Sequence, residues 1–116
     1  MMLQVFVYGS LRQGQVNHYW MEGAEFIGTC QLDPDWVLYD LGPYPAIRAG
    51  KAAAPLVGEV YRITPEILAK LDELEEYPDL YGREEVATPL GSAWVYFYQT
   101  EPQGAVEVVS GDWLTR

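Results

Sequence analysis

The first apolar segment, residues 3–8, constrains the fold most strongly because both of its alternating faces are apolar. The two sets are Leu3, Val5 and Val7 on one face and Phe6 and Tyr8 on the other. β-Branched and aromatic side chains favour a strand, and a strand that is apolar on both faces belongs in the middle of a sheet. We therefore expect a central strand here, ending where Gly9 allows the chain to turn.

Further short strands follow along the chain. The predicted strands are Glu25–Gln31, Trp36–Asp40, Val57–Ile63, two arms of a hairpin within residues 84–99, and a short strand near the carboxyl end. The hairpin turn is predicted at Leu90-Gly91. Residues 41–50 contain Pro43 and Pro45, so we expect a stiff loop there. An aromatic residue precedes Pro45, which leaves both a cis and a trans peptide bond open at that position.

One clear helix is predicted after the fourth strand. Thr64 is a good N-cap and Pro65 suits the first helical position. The helix should run to about Glu75 or Glu76, because Pro78 disfavours helix at the residue before it. A second, short helix is predicted at Asn17–Glu22. Strands with one or two helices indicate an α+β fold. Because several strands are apolar on both faces, we expect a small mixed β-barrel flanked by the helices, forming a single domain over residues 1–116.

The composition excludes several classes of protein. The 17 acidic and 7 basic residues give a formal net charge of -10, which disfavours nucleic acid and anionic membranes as partners. Cys30 and His18 are the only cysteine and histidine, so neither a disulfide framework nor the usual zinc site is expected. No segment resembles a signal peptide or a membrane span. We therefore expect a cytoplasmic protein; the oligomeric state is left open.

The predicted helix carries an acid on its apolar face. On a helical wheel with Ile67 at zero, Leu68, Leu71 and Leu74 form an apolar stripe, and Glu75 lies at about 80°, between Leu71 and Leu68. A carboxyl buried among leucines has a raised pKa, which suits general base and general acid catalysis. Three other interpretations remain open: the last helical turn frays, Glu75 pairs with Arg83, or it caps a loop.

The corner at Tyr8-Gly9-Ser10-Leu11 is the second candidate. Glycine after a strand permits a sharp turn and a close approach to a ligand. Successive backbone N–H groups there can bind an anion or an oxygen that gains charge during a reaction. An ordinary strand-to-helix turn is the alternative. Ser10 as a nucleophile is disfavoured, because a Gly-x-Ser-x-Gly elbow is absent from the sequence.

Three sequence segments together resemble the γ-glutamylcyclotransferase-like superfamily, in particular its small bacterial YtfP-like members. The segments are "VFVYGSLRQGQVN" at the start, "VGEVYRI" before the helix and "LDELEEYPDLYGRE" after it; the tail "SGDWL" is similar as well. The resemblance covers nearly the whole chain. It implies the mixed barrel described above, a small substrate that carries a γ-glutamyl group, and an enzyme that needs no metal or cofactor.

The resemblance also implies roles for individual residues. The corner Tyr8, Gly9, Ser10 and Leu11 corresponds to the family's substrate-binding motif, and Glu75 corresponds to its catalytic glutamate. The implied reaction is an intramolecular aminolysis that releases 5-oxoproline and a free amine. Further substrate-binding candidates are Tyr81, Arg83 and Tyr98. A domain that binds a small metabolite in the same pocket without turning it over is the competing prediction, and a structural partner protein is a third.

Overall fold

The structure is a computed structural model that describes residues 3–116. In chain order the strands are β1 (Leu3–Val7), β2 (Glu25–Leu32), β3 (Trp36–Asp40), β4 (Pro45–Ala49), β5 (Leu56–Ile63), β6 (Tyr81–Thr88), β7 (Gly91–Tyr98) and β8 (Val106–Glu107). One α-helix, α1 (Pro65–Leu74), lies between β5 and β6. Two 3-10 turns complete the chain, at His18–Met21 and Trp113–Thr115. In this part of the chain no helix combines the length and the apolar character that crossing a membrane requires.

The strands form two sheets, and β1 is central in the larger one. The five-stranded sheet has the order β2-β5-β1-β7-β6, and the three-stranded sheet has the order β4-β3-β8. β1 runs antiparallel to β5 and parallel to β7. The central position predicted from its two apolar faces is confirmed.

The two faces of the larger sheet are covered by different elements. Val5 and Val7 face the side where Ile67, Leu68 and Leu71 of α1 pack. Phe6 faces the opposite side, against Leu38 of β3 and Ile47 of β4. The predicted alternation along β7 is also observed: its even-numbered aromatic residues share the face covered by α1, and Ala93, Val95 and Phe97 share the other.

Helix α1 begins as predicted. The Thr64 hydroxyl oxygen accepts a hydrogen bond from the Ile67 backbone N–H at 3.2 Å, and Pro65 occupies the first turn, where its missing N–H has no partner to lose. Three residues of the predicted apolar stripe are buried and Leu74 is partly buried. Burial of this stripe against β1 and β5 holds the helix on the sheet.

The prediction of a loop over residues 41–50 is wrong in its second half, where β4 pairs antiparallel with β3. Proline is tolerated as the first residue of a strand, because a ladder partner is not needed there, and Pro45 occupies that position. The strand has only five residues, Pro45–Ala49, and Gly50 follows it directly. Its hydrophobic signal was therefore masked by the turn-forming residues on both sides.

Two smaller predictions also need correction, and one open alternative is resolved. Thr88 pairs with Gly91 across the hairpin, so its two turn residues are Pro89 and Leu90, one position earlier than predicted. The sequence left cis and trans open for the bond before Pro45; the cis bond described in residues 3–116 precedes Pro78 instead. The α+β class is confirmed, but the closed barrel is not, because no ladder in the described part of the chain joins the edge strands β2 and β6.

Candidate active site

The corner that follows β1 is shaped by close packing against β4. A Cβ atom on Gly9 would lie 2.1 Å from Cγ of Pro45 and 2.8 Å from its Cδ. Only glycine allows the chain to pass this proline at that distance. The corner then turns, with the Arg12 N–H donating to the Gly9 carbonyl at 3.0 Å. Gly9 is therefore required by its contact with the protein's own β4, a reason that the sequence did not reveal.

The corner presents several unused hydrogen-bond donors. The backbone N–H groups of Gly9, Ser10 and Leu11 donate to no other residue within 3–116. Asn17 holds Ser10 in place: its side-chain amide donates to the Ser10 hydroxyl oxygen at 3.0 Å, and its backbone N–H donates to the Ser10 carbonyl at 2.9 Å. The Ser10 O–H therefore remains available as a further donor.

A buried ion-pair network, which sequence reasoning missed, fixes the corner from behind. Arg12 is 5% exposed and pairs with Glu59 of β5 at 3.0 Å and with Asp112 of the tail at 2.9 Å. The Gln13 N–H and the Tyr61 hydroxyl donate to the second oxygen of Glu59 at 2.9 and 2.8 Å. These contacts connect the tail segment "SGDWL" to the corner, nearly the full length of the chain away.

Glu75 lies at the end of α1, in a well-defined helix terminus. The Tyr77 N–H donates to the Asp72 carbonyl at 2.9 Å, and the Glu76 N–H donates to the Glu73 carbonyl at 3.2 Å. These two bonds are the signature of a Schellman motif, with Glu76 in the left-handed conformation at φ 53°. Glu75 itself keeps right-handed dihedral angles. The helix therefore does not fray before Glu75, and the direction given by the helical wheel holds to this residue.

The corner and Glu75 line one cavity. Its volume is about 220 Å³, far above what a single water needs, so it accommodates several waters or a small amino-acid derivative. The lining residues are Phe6, Val7, Tyr8, Gly9, Ser10, Leu11, Asn17, Tyr44, Pro45, Leu74, Glu75, Glu76, Leu80, Tyr81 and Tyr96. These residues include no lysine or arginine. A ligand's negative charge must therefore be met by amide and hydroxyl donors.

Burial controls the acidity of Glu75. Desolvation raises the pKa of its carboxyl to about 7, from an ordinary value of 4.5. Glu75 has no hydrogen-bond or ion-pair partner in residues 3–116, so nothing compensates its charged form. Desolvation also raises the pKa of Tyr8, Tyr81 and Tyr96, and the Glu75 charge adds to each of these shifts. Glu75 is therefore a carboxyl whose proton affinity is matched to neutral pH.

The hydroxyl protons of these three tyrosines are already used within the protein. Tyr8 donates to the Tyr96 carbonyl at 2.8 Å, and Tyr81 donates to the Pro45 carbonyl at 2.9 Å. Tyr96 donates to a carboxylate oxygen of Asp72 at 2.6 Å. The donors left for a ligand therefore include the corner N–H groups and the Ser10 hydroxyl but not the hydroxyls of these three tyrosines.

Two of the predicted substrate-binding residues lie outside the cavity wall. Arg83 forms a bidentate ion pair with Asp72, at 2.8 and 3.1 Å, and not with Glu75. Tyr98 packs edge-on against Tyr81, with ring centroids 5.2 Å apart. The structure brings together Tyr8, Gly9, Ser10, Leu11, Tyr81 and Glu75 but leaves Arg83 and Tyr98 behind them.

The stability of the protein should depend on pH through Glu75. Between about pH 4.5 and about pH 7 the folded chain retains a proton that the unfolded chain has released, so the free energy of unfolding falls as the pH rises. The stabilisation that the retained proton contributes is lost completely above about pH 7, and this loss amounts to up to about 3 kcal/mol of the free energy of unfolding. Urea unfolding should be measured at about pH 5 and about pH 8 for the wild type and Glu75→Gln. The free energy of unfolding of Glu75→Gln relative to the wild type should increase from the lower to the higher pH, by up to that amount. A stability difference between the two proteins that is the same at both pH values would contradict the raised pKa of the Glu75 carboxyl.

The fold and the cavity define a small α+β protein in which a carboxyl with a pKa of about 7 and a cluster of backbone donors line the same cavity. The family model for "Gamma-glutamyl cyclotransferase, AIG2-like" matches residues 5–115. The chain belongs to this family. It is 44% identical over 114 residues to the γ-glutamylcyclotransferase family protein YtfP of Escherichia coli, covering 98% of both chains. It is 41% identical over 112 residues to a relative from Vibrio cholerae, covering 97% of this chain and 96% of the relative.

Solved structures show the same fold. The crystal structure of a Pyrococcus horikoshii protein superposes with a TM-score of 0.83 at 31% identity, covering 96% of this chain and 89% of that chain. The solution structure of the Escherichia coli YtfP protein superposes with a TM-score of 0.79 at 44% identity, covering 97% and 96% of the two chains. The resemblance noted from the sequence motifs is thus confirmed at the level of the family.

Proposed function

We propose that this protein cyclises a γ-glutamyl amine or peptide to 5-oxoproline and releases the free amine. The observation that carries the proposal is that Glu75 and the unused donors of the corner line the same cavity. Membership of the γ-glutamyl cyclotransferase family supports the same chemistry. The reaction requires a proton acceptor beside an amine and donors beside a carbonyl oxygen, and the cavity supplies one of each.

In this proposal Glu75 carries the protons. The substrate's α-amine is an ammonium ion at neutral pH and cannot attack its own γ-carbonyl. Ionised Glu75 accepts a proton from it, a C–N bond then forms to the carbonyl carbon, and the bond to the departing nitrogen breaks. Both protons lost by the attacking nitrogen end on the departing amine, and Glu75 delivers the first of them. A carboxyl with a pKa of about 7 suits both directions of transfer.

The corner acts on the carbonyl oxygen. The N–H groups of Gly9, Ser10 and Leu11 and the Ser10 hydroxyl donate to the oxygen as it gains negative charge, or to the substrate's carboxylate. Tyr8 and Tyr81 form the wall that holds the substrate curled, so that its amine lies near its carbonyl. Arg83 and Tyr98 enter the proposal only as supports, through Asp72 and Tyr81. The cavity residues do this without a metal or another cofactor.

The test is a turnover assay with chemically distinct leaving groups. The wild-type protein is incubated with a neutral γ-glutamyl amine, a γ-glutamyl diamine and a γ-glutamyl dipeptide, and 5-oxoproline is quantified by mass spectrometry. We expect enzyme-dependent release of 5-oxoproline from at least one of them. Saturable binding of these compounds with no 5-oxoproline above the rate without protein would contradict the proposal and favour the domain that binds a metabolite without turning it over.

A further inference from the structure

The end of α1 contains two residues that are locally unfavourable. Asp72 places a negative charge in the last turn of the helix, where the dipole favours positive charge, and that turn contains no basic residue. Glu76 adopts the left-handed conformation, which costs a residue with a Cβ atom about 1–2 kcal/mol. An isolated helix with these two residues at its carboxyl end would lose its last turn. The folded protein must therefore hold this end by contacts from outside the helix.

Those contacts converge on the Asp72 side chain. It accepts hydrogen bonds from Arg83 of β6 at 2.8 and 3.1 Å and from the Tyr96 hydroxyl of β7 at 2.6 Å. The Arg83 guanidinium lies 4.5 Å from the ring centroid of Tyr77 and 4.4 Å from that of Trp94. One carboxylate thus connects the last helical turn to two strands, and an arginine stacked on two aromatic rings fixes that carboxylate.

We propose that Asp72 is a positioning residue for Glu75: it holds the last turn of α1 against β6 and β7 and thereby keeps the Glu75 carboxyl inside the cavity. Asp72 does not line the cavity and acts through the backbone that it anchors. Its own carbonyl accepts the Tyr77 N–H of the Schellman motif. The inference rests on the proposed function for the role of Glu75 but not for the geometry of this helix end.

The consequence of losing Asp72 follows from what controls Glu75. The titratable groups around it are Tyr8 after β1, Tyr44 before β4, Tyr81 on β6, Tyr96 on β7 and, on its own segment, Glu76. Burial raises the pKa of Tyr8, Tyr81 and Tyr96, so these three bring no charge, and the charges of Asp72 and Arg83 oppose each other. Desolvation is the cause of the raised pKa of Glu75. A loosened helix end would admit water and lower that pKa towards its ordinary value.

The experiment compares the pH dependence of kcat/KM for 5-oxoproline release in the wild type and in Asp72→Asn. Asparagine removes the charge and the bidentate partner of Arg83. We expect kcat/KM at the pH optimum to fall roughly tenfold to a hundredfold, as for a misplaced catalytic group. We expect activity to rise with pH with a midpoint near 7 in the wild type, following the pKa of Glu75, and this midpoint should move to lower pH by about one unit in Asp72→Asn. Arg83→Lys keeps the positive charge but loses the two-point contact of the guanidinium with Asp72, so it should shift the pH profile less than Asp72→Asn does.

The control for a merely structural role is Ile63→Val, which removes a buried methyl group from the core of β5 and none of the hydrogen bonds or ion pairs of Asp72. It should lower the melting temperature and leave the pH midpoint unchanged. An Asp72→Asn profile that matches the Ile63→Val profile would overturn the proposal. If Asp72→Asn does not fold, Arg83→Lys decides: an unshifted midpoint in that variant overturns the proposal equally.

A titration of the Glu75 carboxyl by NMR in the ligand-free protein separates this inference from the proposed function. Selective carbon-13 labelling and a Glu75→Gln spectrum identify the resonance. A midpoint near 7 in the wild type that falls in Asp72→Asn supports the positioning role even where no γ-glutamyl compound is turned over. Equal midpoints in the two proteins overturn the positioning role even where 5-oxoproline is formed.

Discussion

Glu75→Gln is expected to reduce the rate of 5-oxoproline release by at least about a hundredfold, the lower range for general acid–base catalysis. Glutamine has nearly the same shape as glutamate but cannot accept and return a proton. Substrate affinity should change little, because the corner and the tyrosine wall remain. The measurement is the single-turnover rate together with the substrate dissociation constant of each protein.

Glu76→Gln is the matched control for this variant. Glu76 is the neighbouring acid, is exposed, and has no pairing partner in the described residues. Its substitution should leave the rate within about twofold of the wild type, because its carboxyl, although at the cavity lining, is exposed to solvent and pairs with no residue within 3–116. Equal losses at Glu75 and Glu76 would show that the variants act through the general charge of the cavity. A normal rate for Glu75→Gln would remove Glu75 from the mechanism.

Gly9→Ala is expected to have the largest effect on stability. The new Cβ atom would lie 2.1 Å from Cγ of Pro45, a ring atom that cannot rotate away. Overpacking of this kind typically costs about 1–3 kcal/mol, and a contact this short belongs at the upper end or beyond. The corner should also be displaced, so ligand binding should weaken together with stability. Urea unfolding and binding of 5-oxoproline measure the two effects.

A double-mutant cycle identifies the cause of this loss. Pro45→Ala removes the two ring atoms nearest to the new Cβ and leaves only the Pro45 Cβ position at 3.5 Å, so Gly9→Ala should cost much less in that background than in the wild type. Gly14→Ala serves as a control in the same loop: its Cβ meets nothing within 4 Å, and only its positive φ of 83° opposes alanine. Gly14→Ala should therefore destabilise by only about 1 kcal/mol. Additive losses for Gly9→Ala and Pro45→Ala would contradict the packing explanation.

The parts of the fold and site that the sequence predicted are those governed by local periodicity. The two apolar faces of residues 3–8 predicted a central strand, and Thr64-Pro65 predicted the helix start. The helical wheel placed Glu75 on the apolar side of α1 because its position depends only on residues within two turns. The structure adds that Glu75 and the corner line one cavity. The helical wheel and the turn prediction each describe one local segment, so neither shows that the two segments lie close together.

The parts that were missed depend on pairs of residues far apart in the chain. β4 is recognisable only beside β3, since its five residues are bounded by proline and glycine. Arg12 meets Asp112 across 100 positions, and no local pattern in the sequence links them. Arg83 was predicted as a substrate-binding candidate and, alternatively, as a partner of Glu75. Its partner is Asp72, on the same helix but one turn earlier than Glu75, a choice that depends on how α1 sits on the sheet.

Intramolecular aminolysis is the central claim, and turnover in water enriched in oxygen-18 tests it most directly. A γ-glutamyl amine is converted by the wild-type protein, and the products are weighed by mass spectrometry. If the substrate's own amine is the nucleophile, 5-oxoproline and free amine form in equal amounts and the 5-oxoproline contains no oxygen-18. Glutamate that carries one oxygen-18 atom, formed in place of 5-oxoproline, would show that water attacks the carbonyl and would contradict the mechanism.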